Sequence, residues 1–362
     1  MAIKYRLLTT AQAEDWHALL ARLPHNDIYF TPNYHRAYER NGDGEALLFV
    51  AEAADALYVH PFVLRPLARI GTQALPHTLY DSTTIYGYGG PLASTPAADF
   101  VHRADDVFHD WCQQREIITE FIRFHPLVDN YRLVDNRYTV QFNRETVVMP
   151  LSPVADELLS LAAPVHRNRV RKAVKEGLVC REISDEAGLA QFKTVYFHTM
   201  QGLNAHPMYY FSEAYFQSLL EDFHTVPHHT GRSARIFGVF YQGDLIAAAI
   251  FFFFQDKVHY HLGGSLFEMR HLAPNNLLFH HVALTAAQAG YRQFHLGGGR
   301  TAAPDDSLMS FKAKLSPHRA RYYTGYRIHD EAMYQSLAQV WLQQRGTAQL
   351  PDYFPAYRAP GL

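Results

Sequence analysis

The chain reads as an α/β protein with mixed sheets, written as two fused copies of one unit. Landmarks recur at nearly one offset: Phe192 follows Trp16 by 176 residues, Gly263 follows Gly89 by 174, and His295 follows His125 by 170. In each copy the strands come consecutively and a helix then crosses to a further strand, which suits a mixed sheet with helices on both faces. The composition can fill two cores, since 48 % of the 362 residues are hydrophobic and 19 % charged.

Each copy opens on a strand and an amphipathic helix. Tyr5–Thr10 leads to Trp16, Leu19 and Leu20, and Cys180–Ser184 leads to Leu189, Phe192, Val195 and Tyr196. A hairpin follows. The first pairs Leu47–Ala51 with Leu57–Leu64, and the second pairs Arg235–Tyr241 with Leu245–Phe254 around Gln242-Gly-Asp244. Next comes an aromatic strand ending in paired glycines, Tyr86–Gly90 in one copy and His259–Gly264 in the other. A helix then leads to a short strand, Ile117–Phe124 or Tyr291–Leu296.

The second of these helices is predicted over Asn275–Ala289, with Pro274 before it, Gly290 as its left-handed stop, and Leu277, Leu278, Val282 and Ala286 as its buried stripe. Between the copies lies a basic helix, 166–175. It stacks Arg167, Arg171 and Lys175 on one face and turns Val170, Val174 and Leu178 inward. The expected domains are residues 1–149 with 325–362, and residues 150–324, the latter carrying the site.

The formal net charge of −2 offers no whole-protein field for nucleic acid. No DNA partner is therefore expected, and any phosphate contact must be local, with Arg167, Arg169, Arg171 and Lys175 as the candidates. The two cysteines, Cys112 and Cys180, have no metal-like spacing and suit a reducing compartment. The first residues turn polar at Thr9-Thr10 before a signal-peptide core is complete. The longest apolar run, Leu245–Phe254, is about half a membrane span. A cytoplasmic protein without a transmembrane segment is expected. The 22 histidines include the pairs His228-His229 and His280-His281, and His259 and His261 alternate on one strand face. None has a carboxylate in ligand spacing, so neither a metal nor another cofactor is expected.

Several segments together resemble the FemABX peptidyltransferases. They are Tyr86-Gly-Tyr-Gly-Gly-Pro-Leu92, Arg167–Gly177, Thr199–Leu203 with Tyr215-Phe216, Tyr260–Ser265, Pro274–Leu278 and Ser307–Lys312. The resemblance implies two fused GNAT-like domains. It also implies transfer of an amino acid from an aminoacyl-tRNA donor to the amine of a small peptide or cell-envelope precursor, without metal or CoA. Lys312 then resembles the family's functional lysine, Phe311 a pocket wall, and Tyr260 a substrate-contacting tyrosine. Asn276 and Arg300 are expected to contact substrate, with Asn275 or Asn276 capping the helix they open. Departures are Leu262, where some relatives keep a tyrosine, and Gln201-Gly202, where close relatives often carry an arginine. The segment Arg270–Asn276 contains no glycine, so the CoA-phosphate loop of GNAT acetyltransferases is not in evidence.

Aminoacyl transfer needs a fixed donor at the developing oxyanion and a route for the amine proton, roles within reach of Lys312 and Tyr260. Two other functions compete. One is an acyl-CoA-dependent N-acyltransferase, and the other is a non-catalytic module that binds a glycan or peptide precursor.

Overall fold

A computed structural model describes residues 3–221 and 233–360. The His228-His229 pair lies outside them. The chain divides into two compact units, Met1–Asn143 with Tyr322–Leu362, and Arg144–Arg321.

The first unit begins with β1 (Lys4–Thr9), α1 (Ala13–Ala21) and α2 (Pro32–Asn41), followed by β2 (Glu45–Ala53), β3 (Ala56–Ile70), β4 (Gln73–Thr83) and β5 (Leu92–Ala93). Then come α3 (Ala98–Gln114) and β6 (Ile117–Arg123), and β7 (Thr139–Pro150) carries the chain into the second unit. There follow α4 (Ala155–Leu161), α5 (Pro164–Lys175), β8 (Val179–Ile183), α6 (Glu186–Gly202), α7 (Glu213–Glu221), β9 (Ala234–Tyr241), β10 (Asp244–Phe254) and β11 (Lys257–Ser265). The second unit closes with α8 (Pro274–Gln288), β12 (Gln293–Gly297) and α9 (Ser307–Ala313). β13 (Arg319–Ile328) returns the chain to the first unit, which ends in α10 (Glu331–Arg345).

In the first unit β1, β2, β3 and β4 pair antiparallel in sequence order, β6 joins β4 in parallel, and β13 lies antiparallel to β6. One face is covered by α3, whose Phe100, Ala104, Phe108 and Trp111 recur at helical spacing and pack on Phe49 and Phe62. The interior also holds a polar cluster. The Tyr138 phenol lies 2.8 Å from Asp105 Oδ1 and 2.9 Å from Glu120 Oε2. A single phenol proton cannot be donated to two carboxylates, so one carboxyl carries its own proton. Asp105 is paired with Arg327 and Arg137, whereas burial, with the neighbouring Asp105 charge second, pushes Glu120 up to about 8, so the proton belongs on Glu120.

The second unit runs β7-β12-β11-β10-β9-β8, with β11 and β12 parallel and the other neighbours antiparallel. The β9–β10 hairpin turns on Gln242 and Gly243 at φ 52° and 96°, a pair of left-handed residues whose twist matches the strands. β10 is buried from Leu245 to Phe254, which accounts for the longest apolar run as a central strand covered on both faces. Ala247, Ala249, Phe251 and Phe253 enter the core with Leu278, Phe279 and Val282 of α8. Phe252 packs instead on His261, whose Nε2 lies 2.5 Å from the Tyr215 hydroxyl of α7. Burial lowers His261 to about 3, so this histidine is a neutral, hydrogen-bonded core residue. No helix among the described residues is long and apolar enough to cross a membrane.

The fold departs from the sequence reading at several elements. Tyr86–Gly90 is not a strand; the strand is β4, and this segment loops after it with one bridge, Gly89 to Phe124. β7 and β13 are strands that the sequence pattern does not predict. On α5, Val174 is 59 % exposed while Ala173 is buried, because a helix carrying Val170 and His166 inward turns position 173 to the core.

Candidate active site

The parallel strands β11 and β12 pair only from Lys257–His259 to Gln293–His295. Beyond that β12 stays paired with β7 alone, across an irregularity between His295 and Gly297, and Gly297 bends at φ 74°, while β11 continues to Ser265. The two strands therefore fork. At this fork Tyr260 lies one residue past the last pair, and Gly298 lies just beyond the end of β12.

The Lys312 side chain, from the short helix α9, reaches both strands. Its Nζ donates to the Gly298 carbonyl at 2.7 Å and sits 5.0 Å from the centroid of the Tyr260 ring. Lys312 is 3 % exposed and makes no ion pair among the described residues. Burial lowers its amine to about 7, against the opposing field of Asp306. An ammonium has three donors, and Gly298 takes one of them. The ring beneath it supplies cation–π attraction to the charged form.

The walls are aromatic. Tyr260 packs on Phe279 and Phe251, and the Phe311 ring stands edge-on to Phe279 at 5.7 Å. Tyr260 is partly buried, its hydroxyl makes no hydrogen bond among the described residues, and burial pushes it up to about 12. It is a proton-bearing donor at neutral pH. A Cβ at Gly263 would come within 2.9 Å of that hydroxyl, so the glycine keeps open the space beside it. A Cβ at Gly264 would meet the Val195 carbonyl of α6 at 2.7 Å. The paired glycines thus have separate jobs, one beside the phenol and one under a helix.

The loop after β12 is tied down on both sides. Arg144 Nη1 donates to the Gly299 carbonyl at 2.9 Å. Asp306 accepts from the Met309 and Thr301 amides at 2.8 and 2.9 Å. Burial alone would raise the Asp306 carboxyl, yet these amides outweigh it and hold the group below the usual carboxylate range.

The sequence-predicted residues fall into three groups. Lys312, Tyr260 and Phe311 converge at the fork. Asn276 is buried and its Nδ2 lies 2.8 Å from His166 Nδ1, linking α8 to α5. Neither Asn275 nor Asn276 caps α8: the N-cap is Ala273, in left-handed conformation at φ 62°, and Asn275 donates to Ser265 Oγ. The αL turn places the asparagines inside the first helical turn, past the capping position. Arg300 is exposed and donates to Ser307 Oγ at 3.0 Å.

On α5, Arg169, Arg171 and Lys175 are exposed, whereas Arg167 is partly buried and spends Nη1 on the Ala162 carbonyl. None of the three exposed cations forms an ion pair among the described residues. Sequence reading missed the role of the Gly298 carbonyl, and it missed Phe279 and Arg144. A backbone carbonyl leaves no trace in residue type, and Phe279 is hidden among 24 phenylalanines.

Residues 165–305 match the acetyltransferase (GNAT) domain family. Among solved structures, FemX aligns with 92 % of this chain and 99 % of its own at a TM-score of 0.66 and 16 % identity. The fold is FemX-like. L-PGS from Bacillus licheniformis aligns at a TM-score of 0.52 and 15 % identity, over 87 % of this chain and 91 % of its own. A tandem GNAT protein from the clavulanic acid biosynthesis pathway aligns at 0.50 and 10 % identity, over 91 % and 99 %. No curated protein matches the sequence. The fold is thus a pair of fused GNAT-like domains, and the match over residues 165–305 supports an acyltransferase of the GNAT type.

Proposed function

We propose that this protein forms an amide bond by moving an amino acid from aminoacyl-tRNA to the amine of a small peptide or cell-envelope precursor, in the reducing cytoplasm. The observation that carries the reading is the Lys312 amine, buried at the strand fork between the Gly298 carbonyl and the Tyr260 ring. The incoming amine attacks the ester carbonyl, a C–N bond forms, and the carbonyl oxygen takes up negative charge. Lys312 in its charged form donates to that oxygen with a hydrogen that Gly298 leaves unused. As the C–O bond to the ribose breaks, the amine proton passes to the leaving oxygen, and the Tyr260 hydroxyl is placed to relay it. Phe311 and Phe279 keep water from the ester. Arg169, Arg171 and Lys175 take the donor's phosphates. Arg300 lies on the exposed side of the same loop, within reach of the acceptor. Asn276 acts through His166, by holding α8 on α5.

An acyl-CoA donor is the second reading, favoured by the acetyltransferase family match over residues 165–305. The first turn of α8 counts against it. Pro274 has no N–H, and the Asn276 amide is used on the Ala273 carbonyl at 3.1 Å, so few amides remain for a pyrophosphate.

The test is incubation of the purified protein with radiolabelled aminoacyl-tRNAs and an amine-containing extract, alongside calorimetry with acetyl-CoA. Expected are tRNA-dependent label in a small product, loss of about 100-fold or more in Lys312→Met, and no heat with acetyl-CoA. Undiminished transfer by Lys312→Met removes the assignment, and turnover of acetyl-CoA replaces the donor.

A further inference from the structure

We propose that Asp306 is the positioning residue of the Lys312 amine: one carboxylate closes the loop after β12 onto the first turn of α9, seating the amine and its carbonyl partner together. This rests on the reading of Lys312 as the working group of the site.

α9 has seven residues, too few to hold a helix by backbone bonds alone, so its first turn depends on what caps it. Asp306 is that cap, with Oδ1 accepting from the Met309 amide three residues on. Its other oxygen faces the loop and accepts from the Thr301 amide at 2.9 Å and the Thr301 hydroxyl at 3.2 Å. The two oxygens therefore join segments whose relative placement decides where Lys312 lands. Gly298, the carbonyl that receives Nζ, lies three residues before Thr301 in that loop. Lys312 lies six residues after Asp306 on that helix.

Gly299 shows how close the join is. A Cβ there would stand 2.5 Å from Asp306 Oδ1, so the loop reaches the carboxylate only because position 299 has no side chain. No shorter or singly accepting side chain reproduces the clasp. Serine can accept from Met309 but cannot also reach Thr301. Asparagine offers one oxygen and sets an NH2 where the second acceptor is needed. Asp306 is 7 % exposed, so loss of one of its bonds is not simply made good by bulk water. The geometry thus gives the residue a task beyond capping.

The test is competitive acetylation of the full-length protein with acetic anhydride from pH 5 to 10, following the Lys312 and Lys314 peptides by mass spectrometry. Wild type, Asp306→Asn and Asp306→Ser are compared. In wild type Lys312 is expected to label slowly, with a midpoint near about 7. In both variants the amine leaves its seat: its limiting labelling rate at high pH rises about tenfold or more and its midpoint moves up toward the ordinary lysine value of 10.5. The exposed Lys314 at the end of α9 serves as the internal control and stays unchanged.

A Lys312 midpoint that stays put, or moves down because only the Asp306 field was lost, overturns the proposal. An unchanged Asp306→Ser protein overturns it too, since the cap alone would then suffice. Thr301→Val, which removes the hydroxyl's bond to Asp306 and its acceptance from the Ala303 amide without touching the cap, is expected to shift Lys312 in the same direction by a smaller amount. It keeps the test decisive if both Asp306 variants misfold, and a Thr301→Val protein labelled as wild type would count against the clasp. Should Lys312 respond as expected while no donor supports transfer, the proposed function fails and the positioning role stands. Should transfer occur with an unaltered rate and pH profile in the Asp306 variants, the reverse holds.

Discussion

Replacing Lys312 by methionine is expected to make the protein more stable at neutral and acid pH. Burial holds the amine at about 7 against an ordinary value of 10.5. A cationic group whose folded pKa is depressed penalises the folded state. In the unfolded chain the amine binds a proton up to about pH 10.5, while in the folded chain it does so only below about 7. Between these values the unfolded state carries the extra proton, so stability of the wild type rises with pH and the penalty is complete below the folded pKa. A displacement of about 3.5 units is worth about 5 kcal/mol at most, and relaxation and water penetration reduce it to about 2–4 kcal/mol. Methionine has similar length and no charge, so it fills the seat and removes the penalty, losing one hydrogen bond worth about 1 kcal/mol. Guanidinium unfolding of both proteins at pH 6, 7, 8, 9 and 10 measures the difference. Expected is a Lys312→Met midpoint above wild type at pH 6–7, with the gap closing toward pH 10. A variant that is less stable at pH 7, or a gap independent of pH, refutes the reasoning, because the amine would then be neither buried nor depressed.

Tyr260→Phe removes a hydroxyl that bonds to nothing among the described residues, so the fold and unfolding midpoint are expected to hold. Transfer kcat is expected to fall by about 100-fold if the phenol relays a proton, and an unchanged kcat in single-turnover measurements removes that role. Reversing charge at Arg169, Arg171 and Lys175 together is expected to raise KM for aminoacyl-tRNA at least tenfold and to flatten its salt dependence, since three phosphate contacts disappear; a purely local loss of solubility would leave the salt slope alone. Glu120→Gln mimics the protonated carboxyl in the first unit. Because the folded Glu120 holds its proton to about 8 and an unfolded one releases it near 4.5, wild-type stability falls as pH rises across that window. The Gln variant is expected to lack that fall, and parallel pH profiles in thermal unfolding would show that Glu120 ionises normally.

Sequence patterning revealed α8 closely, because Pro274 and Gly290 punctuate it and its apolar residues recur at helical spacing. Observed bounds of Pro274–Gln288 differ by one residue at each end. The β9–β10 hairpin was legible for the same kind of reason, a turn pair flanked by apolar runs. β4 was not. Its outer half is exposed and contains Pro76 and His77, so neither alternation nor an apolar run marks it, and the aromatic glycine segment after it drew the assignment instead. At the site, Lys312, Phe311 and Tyr260 were approached through family resemblance and register. What holds them was invisible, because Gly298 acts through its carbonyl and Arg144 arrives from a strand 155 residues before Gly299. The asparagines at 275 and 276 misled in a different way. Capping propensity describes a residue type, whereas the capping position was set by a left-handed turn at Ala273.

The two copies use their parallel strand pair in opposite ways, which sets the fork that carries the candidate site apart from its counterpart in the first unit. In the first unit the pairing of β4 with β6 is prolonged past the end of β4. The Thr84 amide donates to the Phe121 carbonyl, Thr84 Oγ1 accepts from the Arg123 amide at 2.9 Å, and the Gly89 amide reaches the Arg123 carbonyl at 2.7 Å. The Arg123 guanidinium then fastens the Thr84 carbonyl and the Thr83 hydroxyl at 2.8 and 3.1 Å. Each of these bonds fills backbone or side-chain capacity that a ligand would need. In the second unit the equivalent pairing ends at His259 and His295, and an amine with two unspent donors stands at the opening. A duplicated scaffold can afford this difference, because hydrogen bonds that close the first copy stabilise it while those omitted from the second leave polar groups for a substrate to satisfy. The lowered pKa of Lys312 reflects the burial of its amine at that opening. A carboxylate paired with that amine would favour its charged form and offset the burial penalty.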